Sequence, residues 1–279
     1  MAKSALLKSS IAKKYWMALT GLFLCLFLAG HLAGNLQLIF GTNQQFNEYA
    51  LFMTTNPAVK LLSYLTYISI IFHAIDGFLL TVQNKKARPI GYAKSNPSAN
   101  SSFSSRNMAV LGTVVLVFIA THMVNFWAKM HFDKNMPVAT KEIVGQMGKQ
   151  RLAIGVLGSQ NPFFPVDESG KFDKNILESN KLAIKDVTKI ISVEANNDVI
   201  FEGYKDLHKL TFDFFKDAKY GLWFTMGYVL AMLALGFHLW HGFTSAFQSL
   251  GLNNPKFNTG IKFFGKAFAV IVPLLFAII

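Results

Sequence analysis

The sequence predicts an all-α integral membrane protein with five transmembrane helices. Hydrophobic residues make up 52% of its 279 residues, and 27 of them are Phe. This composition is more apolar than that of ordinary soluble domains. A helix needs about 20 mostly apolar residues to cross a bilayer. Stretches of that kind give the predicted spans 15–40, 59–82, 108–130, 220–250 and 261–279.

The first span follows a basic N-terminus, as a signal peptide would. Its apolar run carries no charge between Lys14 and Glu48, is too long for a signal-peptide core and lacks a small-residue cleavage site. We therefore interpret it as a permanent helix. Pro273 interrupts the fifth span, which a buried helix tolerates.

The connecting segments differ in composition. Residues 41–58 are short and nearly uncharged, with a candidate interfacial segment at 46–49, whereas residues 83–107 are basic and rich in Ser and Asn. Residues 131–217 form a polar insertion, with a hairpin expected near 195–198 and an amphipathic helix near 204–215. The predicted organisation is one membrane domain, with helices in 1–130 and 218–279 separated by an extracytoplasmic insertion at 131–217.

The net charge of +12 is concentrated beside the apolar runs. Residues 131–219 are electrically balanced, and outside them the only acidic residues are Glu48 and Asp76. Lys and Arg in short loops orient spans with those loops inside, so we expect a cytoplasmic N-terminus and an external C-terminus. The basic residues used for this orientation include Lys3, Lys8, Lys13, Lys14, Lys85, Lys86, Arg88, Lys94 and Arg106. This pattern disfavours a groove for nucleic acid.

Each of the first four spans contains a histidine, namely His31, His73, His122 and His238, and the fourth span also contains His241. On alternating helices, His31 and His122 fall in the outer half of the bilayer, and His73 and His238 fall in the inner half. The two levels should be separated by roughly 10–15 Å. An ionisable side chain within a span indicates function.

The depths predict two histidine pairs, each shared by two helices. Imidazole is a suitable axial ligand for haem iron, and bundles build cofactor sites from facing helices. We therefore predict two stacked b haems, with His31 and His122 holding the outer one and His73 and His238 the inner one. Because Cys25 is the only cysteine, covalent attachment of a c-type haem is excluded.

Glycines near these histidines would let a porphyrin approach the helix backbone. Gly77 and Gly242 each follow a histidine by four residues, and Gly30 precedes His31. His241 is an alternative to His238, but the H-x-x-x-G spacing shared with His73 and Gly77 favours His238. Any single one of these histidines has alternative interpretations. It could be a hydrogen-bonded core residue, a contact between helices or part of a proton relay.

These residues resemble the cytochrome b membrane-anchor subunit of succinate:quinone oxidoreductases, in its single-chain, five-helix, di-haem form. The resemblance covers all five spans, about two-thirds of the chain. The segments that carry it are 21–24, 26–27 and Gly30-His31 in the first helix, His73-Ala74 followed by Lys85-Lys86, Thr121-His122-Met123, and His238 with Gly242.

The resemblance implies a succinate dehydrogenase or fumarate reductase of a bacterial cytoplasmic membrane. It implies a flavoprotein subunit with FAD and an iron-sulfur subunit on the cytoplasmic face, and a quinone, with menaquinone expected, as substrate. This chain has no flavin or cluster motif, so dicarboxylate chemistry would belong to the partners. The chain departs from the family in its long 131–217 insertion and in Leu235-Gly236-Phe237, where some relatives place a glutamate near the fourth ligand.

Glu48 is the acidic residue near the outer ends of the first two spans. An acidic residue in that region assists quinol deprotonation in the family, which makes Glu48 a candidate proton acceptor at a quinone site. A solvated loop carboxylate is the simpler alternative. For the chain as a whole, the alternatives are the cytochrome b of a hydrogenase or formate dehydrogenase, and a transporter with histidine relays. A transporter predicts broken helices and internal repeats.

Overall fold

The computed structural model describes residues 9–90, 96–145, 148–167 and 169–279. It is mostly helical (66%), and five helical segments are long and apolar enough to cross a membrane. The prediction of five candidate spans in a multi-pass chain is confirmed to that extent. Lys3, Lys8 and Lys94, which entered the charge analysis, lie outside the described residues.

The helices before the insertion are α1 (Ser10–Asn35), α2 (Gln37–Phe40), α3 (Asn43–Thr55), α4 (Pro57–Lys86), α5 (Pro97–Asn100), α6 (Phe103–Arg106) and α7 (Met108–His122). A π-helical segment, Met123–Ala128, continues α7 into α8 (Lys129–Phe132). The later elements are β1 (Thr140–Gly145), β2 (Gly148–Ile154), β3 (Phe163–Pro165), α9 (Lys174–Ser179), β4 (Leu182–Asp186), β5 (Lys189–Ser192), β6 (Val199–Glu202), α10 (Leu207–Phe215), α11 (Gly221–Ser249) and α12 (Pro255–Ile278).

Local signals explain where several helices begin and end. Thr42 and Gln45 form a reciprocal capping box that starts α3, so the candidate interfacial segment at 46–49 is part of a 13-residue helix. Asn254 is the N-cap of α12, and Pro255 is its first residue. This helix therefore begins six residues before the predicted span. Lys85 and Lys86 lie in the last turn of α4, where cations interact favourably with the helix dipole.

The insertion contains two three-stranded antiparallel sheets, with strand orders β1-β2-β3 and β4-β5-β6. The all-α prediction therefore holds for the candidate spans and is wrong for residues 140–202. Short amphipathic strands expose one face, so they lack the long apolar run that marks a span. The expected hairpin is confirmed between β5 and β6, where Asn196 and Asn197 adopt the left-handed conformation.

Apolar side chains from both sheets and from α9 share a single core. Its buried members are Val138, Ala153, Phe164, Phe172, Leu177, Ile190 and Phe201. Three of the rings meet nearly edge to face or tilted, with centroids 5.6–5.8 Å apart. The insertion therefore has a hydrophobic core of its own.

The chain divides into two compact units. The first contains residues up to Asn35, Ala58–Ala120 and Thr225–Ile279. In this unit α12 packs closely on α11, because a methyl group at Gly236 would lie 3.1 Å from the carbonyl oxygen of Ala269. One at Gly265 would lie 2.7 Å from the ring of Phe243.

The second unit contains Leu36–Pro57 and Thr121–Phe224, and the predicted insertion 131–217 lies within it. A buried polar contact joins α3 to α10 in this unit. Asn47 and Asp206 are 1% and 2% exposed, and the Asn47 amide donates to the Asp206 carboxylate at 2.8 Å. Asp206 also accepts from the backbone N–H of Lys209, and Asn47 accepts from that of His208. The buried side chains of Asn47 and Asp206 are therefore hydrogen-bonded to each other and to backbone N–H groups in the first turn of α10.

We expect Asp206→Ala to loosen α3 and α10 together. The substitution removes the N-cap of α10 and leaves an Asn47 N–H without its acceptor, at a cost of about 1–3 kcal/mol. Hydrogen exchange followed by mass spectrometry on the purified full chain should show about tenfold or faster exchange in 43–55 and 207–215, with β1–β3 unchanged. The control is Asp213→Ala, whose exposed ion pair with Lys209 contributes little. Equal exchange in the two variants would contradict the role given to Asp206.

His208 gives the same region a pH dependence. Its ring stacks on Phe212, with centroids 4.5 Å apart, and meets Phe46 edge to face. Burial lowers the pKa of His208 from its usual 6.5, Asp206 opposes that shift, and Lys216 adds to it. Because the folded state disfavours the protonated ring, this unit should lose stability as the pH falls below the unfolded-state pKa.

The measurement for His208 compares wild type with His208→Phe, which keeps the ring stack and cannot be protonated. After correction for intrinsic exchange rates, protection of α10 should fall more in wild type than in the variant between about pH 7.5 and pH 5.5. The same pH dependence in both proteins would assign the effect to other groups.

Candidate functional site

Two of the four span histidines face each other in the first unit. His73 of α4 and His238 of α11 have ring centroids 6.2 Å apart, with the ring planes at 71°. Both side chains are half-buried. The structure thus brings together the two residues predicted to share the inner site.

The His73 ring is held by hydrogen bonds to α1. Its Nδ1 atom lies 3.1 Å from the carbonyl oxygen of Met17 and 3.3 Å from Oγ1 of Thr20. The Thr20 hydroxyl donates to the carbonyl oxygen of Trp16 at 2.8 Å, which leaves Oγ1 as an acceptor toward the ring. Because a carbonyl can only accept, Nδ1 carries the proton in a neutral ring. The Nε2 lone pair is then available to a ligand.

Two glycines let the helices approach these rings. A methyl group added at Gly21 of α1 would lie 3.1 Å from Cε1 of His73. One added at Gly112 of α7 would lie 3.5 Å from Cε1 and 3.8 Å from Nδ1 of His238. Each imidazole therefore rests its Cε1–Nδ1 edge against a glycine of a neighbouring helix.

The two histidines differ in their hydrogen bonding. Nδ1 of His238 is buried and has no hydrogen-bond partner, in contrast to Nδ1 of His73. Within the described residues, neither Nε2 atom makes a hydrogen bond. Both Nε2 atoms of these neighbouring rings are therefore available as ligands.

This geometry fits a metal held between two imidazoles. Metal–nitrogen bonds of about 2 Å and imidazole radii of about 1.1 Å place the ring centres about 6 Å apart. The observed 6.2 Å agrees with that separation. Among the described residues no group of three or more His, Cys, Asp or Glu side chains could hold a metal ion. A haem iron needs only the two axial ligands from the protein.

The other residues assigned to the cofactor are placed as follows. A methyl group added at Gly30 or Gly77 would meet no atom within 4 Å, and one at Gly242 would meet only the terminal methyl group of Met108 at 3.7 Å. These three positions leave space beside the helix backbone. His238, and not the alternative His241, is the α11 histidine whose ring contacts His73.

His31 lies in a second part of the first unit. It follows Gly21 by ten residues, which is a rise of about 15 Å along α1. Its ring stacks on Phe27 at 5.4 Å and meets Phe276 of α12 at 5.7 Å, and the Asn35 amide lies 3.4 Å from its Nε2. His31 is thus offset along α1 from the position at which Gly21 meets His73, and the two depth levels remain a prediction.

His122 belongs to the second unit, and its pairing with His31 remains a prediction. Its ring lies 5.3 Å from that of Phe126, within the π-helical segment that starts immediately after it. Such segments are frequent at functional sites. This segment also contains the polar residue Asn125.

Glu48 is exposed on α3 and accepts a hydrogen bond from the Gln44 amide at 2.8 Å. It follows the buried Asn47 in the second unit. Burial raises the pKa of Tyr204, and the charge of Glu48 raises it further. Glu48 therefore has a carboxylate accessible to solvent and a tyrosine within electrostatic range.

The sequence analysis missed three contributors to the His73–His238 pair: the Met17 carbonyl, Thr20 and Gly112. A backbone carbonyl has no sequence signature. A spacing signal was present, because Gly21 precedes His31 and Gly112 precedes His122 by the same ten residues. This equal spacing could have identified Gly21 and Gly112 as the positions that face His73 and His238.

Comparisons with protein-family models, with curated proteins and with solved structures gave no match to this chain.

Proposed function

We propose that the chain is the di-haem cytochrome b membrane anchor of a succinate:quinone oxidoreductase, carrying electrons between an iron-sulfur subunit and a quinone. The observation that carries the proposal is the His73–His238 pair, with ring centres 6.2 Å apart on two candidate membrane helices. The histidines on the other two of the first four spans, His31 and His122, extend it to a second site.

The chain's own residues supply ligands and a dry environment. His73 and His238 would hold the inner haem by Nε2, and His31 and His122 the outer one. Haem b, when bound, would supply one-electron transfer, and these histidines would hold it. Gly30, Gly77 and Gly242 leave room beside the backbone for the ring, and the apolar spans exclude water from it.

The quinone half-reaction needs a proton acceptor as well as an electron path. Glu48 is assigned that role, since its carboxylate is exposed. Oxidation of a quinol releases protons, which a carboxylate at the outer end of the spans would receive. Menaquinone is the proposed quinone.

The partners and location follow from the same proposal. A flavoprotein with FAD and an iron-sulfur subunit dock on the cytoplasmic side of a bacterial cytoplasmic membrane, and succinate or fumarate reacts on the flavoprotein. Lys85, Lys86 and Arg88 lie at or just after the end of α4. By the positive-inside rule they support a cytoplasmic location for that end of the helix.

The test is haem quantification by the pyridine haemochrome method and a redox titration of the purified chain. Wild type should contain about two b haems per chain. His73→Ala and His238→Ala should each lose the same redox component, and His31→Ala the other, because ligation by one imidazole does not retain a bis-histidine haem. His131→Ala is the control, since this ring is exposed and stacks on Trp127 within the second unit. A folded wild-type chain without haem would overturn the proposal.

Gly21 gives a second test through packing. The position of its missing Cβ is 3.1 Å from His73, so the Gly21→Leu side chain must displace the ring. The variant should lose the same redox component as His73→Ala and keep the other. Gly260→Leu is the matched control, because that glycine on α12 has open space around it and should retain both haems. Retention of both components by Gly21→Leu would contradict the contact.

A further inference from the structure

We infer that Thr20 is a positioning residue that, with the carbonyl of Met17, fixes the His73 ring and sets the electronic character of that one ligand. The inference rests on the proposed function, since it concerns His73 as a haem ligand. It adds that His73 and His238 differ in ligand strength, a difference that haem ligation itself does not require.

The first step is the register of α1. Met17, Thr20 and Gly21 are three and four residues apart, so they lie on one face of the helix. Gly21 has no side chain, which allows the imidazole of His73 to reach the backbone beside it. The ring edge then meets the Met17 carbonyl at 3.1 Å and the Thr20 hydroxyl at 3.3 Å.

The second step concerns the proton of that hydroxyl. Oγ1 of Thr20 lies 2.8 Å from the carbonyl oxygen of Trp16 and 3.2 Å from that of Met17, so its one hydrogen is directed to its own helix, toward Trp16. Its oxygen lone pairs then face outward as acceptors. The Nδ1–H of His73 thus has two acceptors on α1, and this arrangement fixes both the tautomer and the ring plane.

The third step is the contrast with His238. Its buried Nδ1 has no partner, and Gly112, whose missing Cβ would lie 3.8 Å from that atom, has no side chain to offer one. A hydrogen bond accepted from Nδ1–H makes an imidazole a more basic ligand. His73 is therefore the stronger donor to iron and His238 the weaker one. Ferric iron is favoured by the stronger donor, so the α1 contact lowers the reduction potential of this site.

The test compares Thr20→Val with Thr113→Val in the purified full chain by redox titration and low-temperature EPR. Val keeps the shape of Thr but cannot accept a hydrogen bond. The potential of the component that His73→Ala removes should shift upward in Thr20→Val, and its ferric EPR signal should change as the ring plane relaxes. The other component should not move. Thr113 is exposed and donates to the carbonyl four residues before it, as Thr20 does, so Thr113→Val should leave both components unchanged.

Two further variants separate hydrogen bonding from packing. Thr20→Ser retains the hydroxyl and should restore the wild-type potential and spectrum. Gly112→Ser would place a hydroxyl beside Nδ1 of His238 and should shift the same component downward, relative to Gly112→Ala. Retention of haem with no shift in Thr20→Val would overturn the inference and leave the proposed function standing. If Thr20→Val loses haem and Thr20→Ser does not recover it, packing and not the hydrogen bond accounts for Thr20, which also overturns the inference. Absence of haem from wild type would instead overturn the proposed function.

Discussion

The hydrogen bond from His73 to a backbone carbonyl of α1 is the interaction around which the His73–His238 pair is arranged. Within a bilayer, every backbone polar group must be satisfied inside the protein, and helices achieve this by bonding each carbonyl to their own N–H groups. The Met17 carbonyl still has a second lone pair, which α1 exposes to a neighbouring helix only where a small residue clears the way. Gly21 provides that opening. An ordinary helix thereby gains a polar contact without breaking its own ladder.

The same principle organises the first unit more widely. Gly112 brings α7 against His238, and Gly236 and Gly265 bring α11 and α12 together. Where lipid surrounds the helices, apolar burial does not favour one helix contact over another, so close packing at small residues decides which faces meet. The glycines therefore determine which helices touch, and the histidines occupy the positions that those contacts leave between them.

The sequence was sufficient to predict the five candidate spans, because long apolar runs are local signals. It also predicted that His73 and His238 form a pair, and the structure brings their rings into contact. The orientation of a ring within its depth level could not be predicted, since it depends on a carbonyl and a hydroxyl from another helix. The two sheets at 140–202 were missed because their core comes from residues far apart in sequence, such as Val138 and Phe201. The contact of Asn47 with Asp206 joins residues more distant still.

The π-helical segment after His122 changes which side of the helix the following residues occupy. A π turn holds one residue more than an α turn, so every side chain beyond Ala128 is rotated by about 100° from the position that an uninterrupted α-helix would give it. A helical wheel drawn through 108–132 as one regular helix therefore assigns its last residues to the wrong side. In an alignment, a relative without the π turn would require a one-residue gap within 123–128. Placed elsewhere in the helix, that gap would misalign either His122 or the residues that follow Ala128.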